Sequence, residues 1–197
     1  FAVAMEWKVD PFVSKTDVGV RSPRLELALD GPSQVIYGAA NTYRLRLRNA
    51  GDAPAEGVTV KLTAGPYGES SSEIGVIPAG GEETVDIELT FQKKGTINIA
   101  AAASALRGLN AETDINVLVR KAELAAEIAA PPVVYHGSET AYLVRIHNSG
   151  DAAATSLTAM LTLPEGAQPI SLPEGAKIVG GQVSWPVGGV EPNAVAE

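Results

Sequence analysis

Histidine is the side chain best suited to general-base catalysis near neutral pH, and this sequence contains two of them. His136 stands beside a glycine in a predicted loop, and His147 takes an outward position in a predicted strand. Neither belongs to a Gly-x-Ser-x-Gly nucleophile motif, and the two do not have the spacing of paired metal ligands. We therefore predict that both histidines are structural and that the chain is not an enzyme.

Serine, glycine and paired carboxylates would offer other chemistries. Ser70–Ser72 is typical of a flexible loop rather than of a nucleophile. Gly80–Gly81 indicates a turn before a strand, and the following Glu82 and Glu83 point to opposite faces of that strand, where they cannot flank one bond. The sequence has no cysteine, which removes disulfides, thiolate metal sites and cysteine nucleophiles. The prediction is a chain with no catalytic residue, cofactor-binding residue or metal ligand.

Aromatic side chains could stack on sugars, but they make up only 5% of the sequence. Trp7 and Trp185 stand in strand-like contexts, which favours core packing over ligand contact. Tyr67 lies in the segment GPYGES, which predicts an exposed loop tip. Tyr67 is therefore the best single candidate for a contact residue.

Charge and composition exclude some partners and favour one fold class. The 15 Lys and Arg stand against 23 Asp and Glu, a net charge of −8, whereas nucleic-acid binding needs clustered basic residues. No apolar run reaches the ~20 residues that span a bilayer, so no membrane insertion is predicted. The 20 Gly and 13 Pro indicate many short strands rather than a few long helices.

A polar hexapeptide occurs twice, as RNAGDA and as HNSGDA, and the second Asn-x-Gly-Asp follows the first by 99 positions. Identity continues at the same offset, without a gap, on both sides of the motif. This indicates an internal repeat. The matched pairs include Leu25 and Leu124, Pro32 and Pro131, Val35 and Val134, Gly38 and Gly137, Tyr43 and Tyr142, Arg46 and Arg145, Ala55 and Ala154, Thr59 and Thr158, and Leu62 and Leu161.

Apolar and polar residues alternate along the repeat, which is the pattern of strands with one face in a core and the other in water. Six or seven such runs in about 100 residues, separated by turn signals, predict a two-sheet sandwich of immunoglobulin type. The predicted fold class is all-β, with tandem immunoglobulin-like β-sandwiches of which the second is incomplete. The apolar positions in the first copy are Leu25, Leu27, Leu29, Tyr43, Leu45, Leu47, Val58, Val60, Leu62, Val85, Ile87, Leu89, Phe91, Ile97, Ile99, Ile115, Val117 and Val119.

The repeated motif has a complete interpretation as a turn that links two strands. Its asparagine tolerates the left-handed conformation and hydrogen-bonds nearby backbone, its glycine supplies a positive φ, and its aspartate caps the exposed amides of the bend. A Ca²⁺ site is the alternative, because these side chains carry oxygen ligands, but the spaced acidic series of a calcium loop is not present. The residues predicted to form the turns are Asn49, Gly51, Asp52, Asn148, Gly150 and Asp151.

The string YRLRLRNAGDAPAEGVTVKL resembles bacterial cell-surface sandwich repeats, among them the cell-adhesion-related domain found in bacteria. The second copy, YLVRIHNSGDAAATSLTAMLTLPEG and later GGQVSWPVGGVEP, resembles the family called domain of unknown function eleven. Leu163–Gly166 and the later Trp185, Gly189 and Pro192 follow that family's order, whereas the first copy departs from it with LTAGPYGES and has no tryptophan there. The resemblance covers most of Pro23–Glu197, implies a sandwich fold in an extracellular, repeat-built protein, and carries no catalytic residues.

The repeat divides the chain into three predicted segments. Residues 23–120 form the first sandwich. Residues 121–197 form a second sandwich that lacks its last strands, because much less sequence follows Pro192 than follows the matching Pro78. The junction VLVRKAEL has no flexible Gly/Ser linker, which predicts a stiff connection between the sandwiches.

Residues 1–22 are predicted to be the closing strands of a preceding unit or a donated strand. Phe1, Val3, Met5, Trp7 and Val9 alternate with smaller or polar residues, and KTDVGV at positions 15–20 resembles ETDINV, the last strand of the first copy. Either the chain is a segment of a longer array of such units, or these residues complete the unfinished sandwich of another molecule by strand donation.

Together these features predict a non-catalytic structural or assembly module of a bacterial cell-surface or extracellular repeat protein, as in a stalk, a surface layer or a fibre. Its predicted partners are neighbouring repeats or copies of itself, bound by strand donation. The alternative from another functional class is an accessory carbohydrate- or protein-binding module of a secreted enzyme. An exposed aromatic strip on one sheet would favour that alternative, and the low aromatic content weighs against it.

Overall fold

The computed structural model describes residues 19–197, in which the regular structure is β-strand apart from two 3₁₀ turns at Gly65–Tyr67 and Leu106–Gly108. The all-β prediction is confirmed. The first eight strands are β1 (Leu25–Asp30), β2 (Gln34–Ile36), β3 (Ala40–Asn49), β4 (Ala55–Ala64), β5 (Glu69–Ile77), β6 (Glu82–Thr90), β7 (Gly95–Ala105) and β8 (Leu109–Arg120). The next six are β9 (Leu124–Ala129), β10 (Leu143–Asn148), β11 (Ala154–Thr162), β12 (Lys177–Val179), β13 (Gln182–Val190) and β14 (Val195–Ala196).

Residues 25–120, called the first unit below, form two sheets that face each other. One sheet has the order β1-β3-β6 and the other the order β2-β8-β7-β4-β5. All pairings are antiparallel except that of β2 with β8, where Gln34–Ile36 runs parallel to Leu118–Arg120. Because side chains alternate across a strand, Leu45 and Leu47 enter the core while Arg44 and Arg46 face solvent.

The core of the first unit consists mainly of aliphatic side chains from both sheets. Within it the rings of Tyr43 and Phe91 make an edge-to-face contact, with their centroids 6.2 Å apart. The phenol of Tyr43 is buried, and burial raises its pKa. Its hydroxyl donates a hydrogen bond to the carbonyl of Pro32 (3.1 Å), so the one polar atom of this ring in the core is satisfied.

Residues 124–196, called the second unit, form two further sheets of order β14-β10-β9 and β11-β13-β12. The pairing of β9 with β10 repeats that of β1 with β3 at an offset of 99: Leu124 lies opposite Asn148 as Leu25 lies opposite Asn49. The bulge at the start of β4 also recurs in β11, with positive φ angles of 61° at Gly57 and 57° at Ser156. The sequence repeat is therefore a repeat of backbone structure, while the domain boundaries stay a prediction.

One strand of the first unit was not predicted from the sequence. Ser70–Ser72, expected in a loop, lie in β5, an edge strand that pairs with β4 through Lys61 opposite Ser71. That prediction was wrong because an edge strand with both faces in solvent can be polar throughout and then shows no alternation. The predicted strand pair of positions 1–20, including Trp7, lies outside the described residues except for its last two positions.

Candidate functional site

The two Asn-x-Gly-Asp segments connect a strand of one sheet to a strand of the other sheet at equivalent places of the two units. Residues 49–52, here called turn 1, follow β3, and residues 148–151, called turn 2, follow β10. In both turns the asparagine side chain is 0% exposed, and among residues 19–197 these two are the buried polar side chains. A buried amide must find hydrogen-bond partners inside the protein, so its contacts show what the turn does.

Asn49 holds three segments of backbone together. Its amide oxygen accepts hydrogen bonds from the N–H groups of Arg24 (3.0 Å), just before β1, and Gly51 (3.1 Å). Its amide nitrogen donates to the carbonyls of Ala53 (2.7 Å), Ile77 (3.1 Å) and Pro78 (3.2 Å). The start of β1, the turn itself and the end of β5 are thereby fixed by one side chain.

Asn148 repeats this arrangement in the second unit. Its oxygen accepts from the N–H groups of Glu123 (3.1 Å) and Gly150 (3.0 Å). Its nitrogen donates to the carbonyls of Ala152 (2.8 Å) and Val190 (2.9 Å). Since Glu123 directly precedes β9 and Val190 ends β13, the same three kinds of segment are joined.

A third backbone element of each site was missed at the level of sequence. Gly80 donates its N–H to the carbonyl of Asn49 (2.8 Å), and Asn193 does the same to Asn148 (2.7 Å). Both residues have positive φ angles, 73° and 60°. Glycine and asparagine adopt this conformation most readily, but the two positions share no residue type and so gave no repeat signal.

The glycines of the two turns do not have the role predicted for them. Neither Gly51 nor Gly150 has a positive φ, and neither asparagine is left-handed. Each glycine instead lies against the backbone that enters the first strand of its unit. A Cβ on Gly51 would be 2.5 Å from the nitrogen of Arg24, and one on Gly150 would be 2.8 Å from the carbonyl carbon of Ala122. Close backbone approach is the physical reason for glycine here.

The strongest contacts of the two turn aspartates are with the same incoming segments. A carboxylate oxygen of Asp52 accepts the N–H of Ser22 (2.7 Å), and one of Asp151 accepts the N–H of Lys121 (2.7 Å). This backbone hydrogen bond lowers the pKa of Asp151, with smaller contributions from the charges of Lys94 and Arg120.

Turn 2 is expected to respond to acid through Asp151. Because its pKa is lower in the folded chain than the ordinary value near 4, the stabilisation that it gives is complete above that value and is lost as the pH falls through the lowered pKa. We expect the Lys121 amide resonance to titrate in this acidic range, followed by NMR. In Asp151→Asn, which keeps an oxygen acceptor, that titration should vanish. It should persist in the matched Asp52→Asn variant, and a titration unchanged in Asp151→Asn would contradict the assignment.

The same contacts bear on the calcium alternative. The amide oxygen of Asn49 already accepts two N–H groups, and a carboxylate oxygen of Asp52 accepts a third. These atoms are oriented by backbone donors, which compete with a cation for the same lone pairs. Among residues 19–197, no three His, Cys, Asp or Glu side chains are placed to hold a metal ion together.

The two units meet at a short junction, since only Lys121, Ala122 and Glu123 separate β8 from β9. The guanidinium of Arg120 donates to the carbonyl of Asp151, with its Nε at 2.7 Å. The ammonium group of Lys94, from the loop before β7, lies 3.5 Å from the carboxylate of Glu123 and 3.9 Å from that of Asp151. Turn 2 is therefore bonded to the end of the first unit as well as to its own strands.

An aromatic contact adds to this junction. The ammonium nitrogen of Lys121 lies 4.7 Å from the ring centroid of Tyr37, which is cation–π distance. The N–H of Tyr37 donates to the carbonyl of Arg120 (2.8 Å), extending the parallel pairing of β2 with β8. The junction thus combines backbone hydrogen bonds with partly exposed ion pairs, of which the backbone bonds are the less sensitive to salt.

The remaining predicted residues are dispersed over the molecule. Tyr67 ends the 3₁₀ turn after β4, with 41% of its surface exposed, but its hydroxyl accepts the N–H of Gln92 (2.7 Å) and its ring contacts Phe91 at 5.7 Å. Trp185 is half-buried in β13, and His147 is exposed in β10. The role of Tyr67 as a contact residue therefore stays a prediction. Within the described part of the chain, no helix is long and apolar enough to cross a membrane.

Residues 22–114 match the family model CARDB, the cell adhesion related domain found in bacteria. The match covers nearly the whole first unit and a little under half of the chain. It confirms the resemblance seen in the first copy of the repeat, while the resemblance of the second copy to domain of unknown function eleven stays a prediction.

Several solved structures have a similar backbone path over part of this chain, and they come from different kinds of protein. A CARDB domain from Pyrococcus furiosus, solved in complex with di-metal ions, is 17% identical with a TM-score of 0.43, over 49% of this chain and 88% of that one. A PKD domain of an M14-like peptidase from a Thermoplasmatales archaeon is 19% identical with a TM-score of 0.38, over 51% and 98%. A β-glucosidase from Listeria innocua is 19% identical with a TM-score of 0.34, over 49% and 16%.

Proposed function

We propose that this chain is a non-catalytic connecting module of an extracellular or cell-surface protein built from β-sandwich units, as in a stalk, a surface layer or a fibre. The family matched by residues 22–114 is a cell-adhesion-related domain, which supports the extracellular setting. The observation that carries the proposal is the hydrogen-bonded junction formed by turn 2, where Asp151 binds both Lys121 and Arg120.

The hydrogen bonds of the buried polar side chains favour a mechanical role. A catalytic site needs polar groups that converge on a space where substrate can sit. Here the buried polar side chains, Asn49 and Asn148, direct every bond inward to backbone. Their bonds join the first strand of a unit to its neighbours, which is the connection that a pull on the chain would load. Fixing strand ends in this way suits a spacer whose task is to keep its geometry.

The accessory-binding alternative draws on a different observation, the exposed tyrosines. Tyr135 is 78% exposed in the segment between β9 and β10, and Tyr67 is 41% exposed in the first unit. They lie on loops of separate units, not along one sheet. A planar carbohydrate surface would be recognised best by rings on one face, so we favour the connecting role.

The proposed function predicts that the two units tumble as one body. We expect ¹⁵N relaxation to give the same rotational correlation time for the amides of β3 and of β10. Inserting Gly-Ser-Gly-Ser after Lys121 should shorten both correlation times, because the junction bonds to Asp151 are lost and the units then move separately. The matched control is the same insertion after Gly137, in the exposed segment between β9 and β10, which should leave them equal and unchanged.

Two results would count against the connecting role. Independent correlation times in the unaltered chain would show that the junction is not rigid. Binding to a carbohydrate array that is lost in Tyr67→Ala, with the fold intact, would favour the accessory-binding module instead.

A further inference from the structure

Positions that are buried in the first unit are exposed at the equivalent places of the second. Leu25 and Leu29 of β1 are each 7% exposed, whereas their counterparts in β9, Leu124 and Ile128, are 46% and 57% exposed. Burial of such aliphatic side chains is a main source of folding stability. In the second unit, residues equivalent to core residues of the first unit are therefore in contact with solvent.

These side chains line a continuous apolar groove of about 270 Å³ between the two sheets of the second unit. One wall comes from β9 and β10 and the other from β11. Apolar grooves of this kind, with strand backbone at their edge, are where added β-structure binds. The aliphatic residues that line the groove include Leu124, Ile128, Val144, Ile146, Leu157 and Leu161.

The first unit shows what covers the equivalent surface. There β1 packs against β7 and β8 of the facing sheet, and β4 pairs with β5 on one side and with β7 on the other. In the second unit, among the described residues, β11 pairs with β13 on one side and has no strand on the other. The groove thus corresponds to the place of the β7–β8 hairpin, and the open edge of β11 offers the backbone groups to hold one.

We propose that this groove binds residues 1–20 of a second copy of the chain, which add to the open edge of β11 as a β-hairpin. The sequence of this segment fits the place. Positions 1–9 alternate large apolar residues with small or polar ones, as a strand with one face in a core does. KTDVGV at positions 15–20 resembles ETDINV, which lies in β8. For the large apolar residues of positions 1–9 to face inward, the loop of the donated hairpin must differ by one residue from the loop between β7 and β8.

The first unit also supplies the expected pairing. In the pairing of β4 with β7, Val60 lies opposite Ala103 and Leu62 opposite Ala101. At the offset of 99 these positions of β4 correspond to Ala159 and Leu161 in β11. The inward residues of the donated strand should therefore lie opposite Ala159 and Leu161.

Side-chain size is complementary between the groove and the segment. Three wall residues are smaller than their counterparts in the first unit, although Leu157 is larger than Val58, and the segment offers larger apolar residues than Ala101 and Ala103 of β7. A core stays filled when smaller residues on one side are matched by larger residues on the other side. The smaller wall residues are Ala126 for Leu27, Val144 for Leu45 and Ala159 for Val60, and the larger candidates of the segment are Val3, Met5 and Trp7.

A second molecule is required because the segment cannot reach the groove of its own chain. Ser22 is bonded to Asp52 at the turn-1 end of the first unit, and β8 runs from that end to the junction at Arg120. Its 12 residues span ~40 Å at ~3.3 Å per residue. Twenty extended residues span at most ~66 Å, leaving about eight beyond the junction, fewer than the 11 of β7 alone.

Such a contact is heterologous, since a different surface is used on each molecule, and it propagates into a chain of molecules instead of closing. This partner rests on the proposed function, because a connecting module is the kind of protein that gains from end-to-end joining. It adds a specific contact that the function itself does not require.

Sedimentation velocity of the full chain over a wide concentration range tests the contact. We expect dimers and longer species that grow with concentration. Met5→Asp places a charge in the groove and should weaken association at least about tenfold, whereas the matched Ala4→Asp, on the opposite face of the predicted strand, should have little effect. A free peptide of residues 1–20 should cap the groove and shorten the species, and the Met5→Asp peptide should not.

The results distinguish a second copy of the chain from other occupants of the groove. A chain that stays monomeric at every concentration overturns donation by a second copy and leaves the groove to residues adjoining the unit in a longer chain. Association that is equally strong in Met5→Asp and Ala4→Asp also overturns it. Neither result contradicts the connecting role. That role is tested separately, in a monomer, by comparing the ¹⁵N relaxation of β3 with that of β10. Circular dichroism of both variants checks that the sandwiches remain folded.

Discussion

Asn49→Ala is expected to lower the free energy of unfolding of the first unit by about 3–5 kcal/mol, among the largest effects of a single substitution in the chain. The side chain is 0% exposed and makes hydrogen bonds to five backbone groups. Alanine leaves the part-buried N–H of Arg24 and the buried carbonyl of Ile77 without this partner. The loss of stability is measurable by native-state hydrogen exchange of the amides in β3.

The matched control is Asn41→Ala in the same strand. Asn41 makes one exposed hydrogen bond, from its side-chain nitrogen to the carbonyl of Ala39 (2.9 Å), so its loss should cost less than about 1 kcal/mol. Equal effects of the two substitutions would show that burial of Asn49 does not matter to stability, contrary to the geometry.

Asn49→Asp separates the hydrogen-bond explanation from simple packing, because the shape is kept. The amide nitrogen donates to three carbonyls, and a carboxylate there would face them with negative charge. Burial among acceptors should raise the pKa of this new carboxyl in the folded chain. The variant should therefore be least stable at neutral pH and recover as the pH falls through the raised pKa, the reverse of the acid response of Asp151.

The strands of the first unit could be predicted because their two faces meet different surroundings. Leu45 and Leu47 alternate with arginines along β3, and one face is buried while the other is in water. Where both faces meet solvent, as in β5, the physical cause of alternation is absent and Ser70–Ser72 resembled a loop. The short β2 has one buried residue, Val35, which is too little to form a pattern.

The position of the turns could be predicted from sequence, but their chemistry could not. The repeat identified the same three residue types in both copies, and it could not show that the asparagine is buried, since burial depends on Ile77 and Pro78, far away in sequence. The glycine was assigned a local reason, a positive φ. Its actual reason is a contact between segments about 28 residues apart in the chain, which appears only once β1 is packed beside the turn.

Gly51→Ala and Gly150→Ala are expected to destabilise their units by about 2–4 kcal/mol, because the added Cβ would collide with backbone and not with a movable side chain. On Gly51 it would lie 2.6 Å from the Cα of Pro23 and closer still to the carbonyl oxygen of Ser22. On Gly150 it would press on the carbonyl of Lys121, so this variant should also loosen the junction. Thermal unfolding and the relaxation comparison between β3 and β10 measure the two effects separately.

Gly189→Ala is the matched control, since Gly189 also lacks a positive φ and a Cβ there would be 3.4 Å from the carbonyl oxygen of Ala154, an ordinary contact. We expect it to change stability by less than about 1 kcal/mol. If Gly51→Ala proved as mild, the incoming strand would have to yield by about an ångström without loss, and Asn49 could not then be holding Arg24 at 3.0 Å. The glycine and the asparagine of each turn therefore act on the same backbone segment, one by allowing its approach and the other by bonding it, so their substitutions should be less than additive.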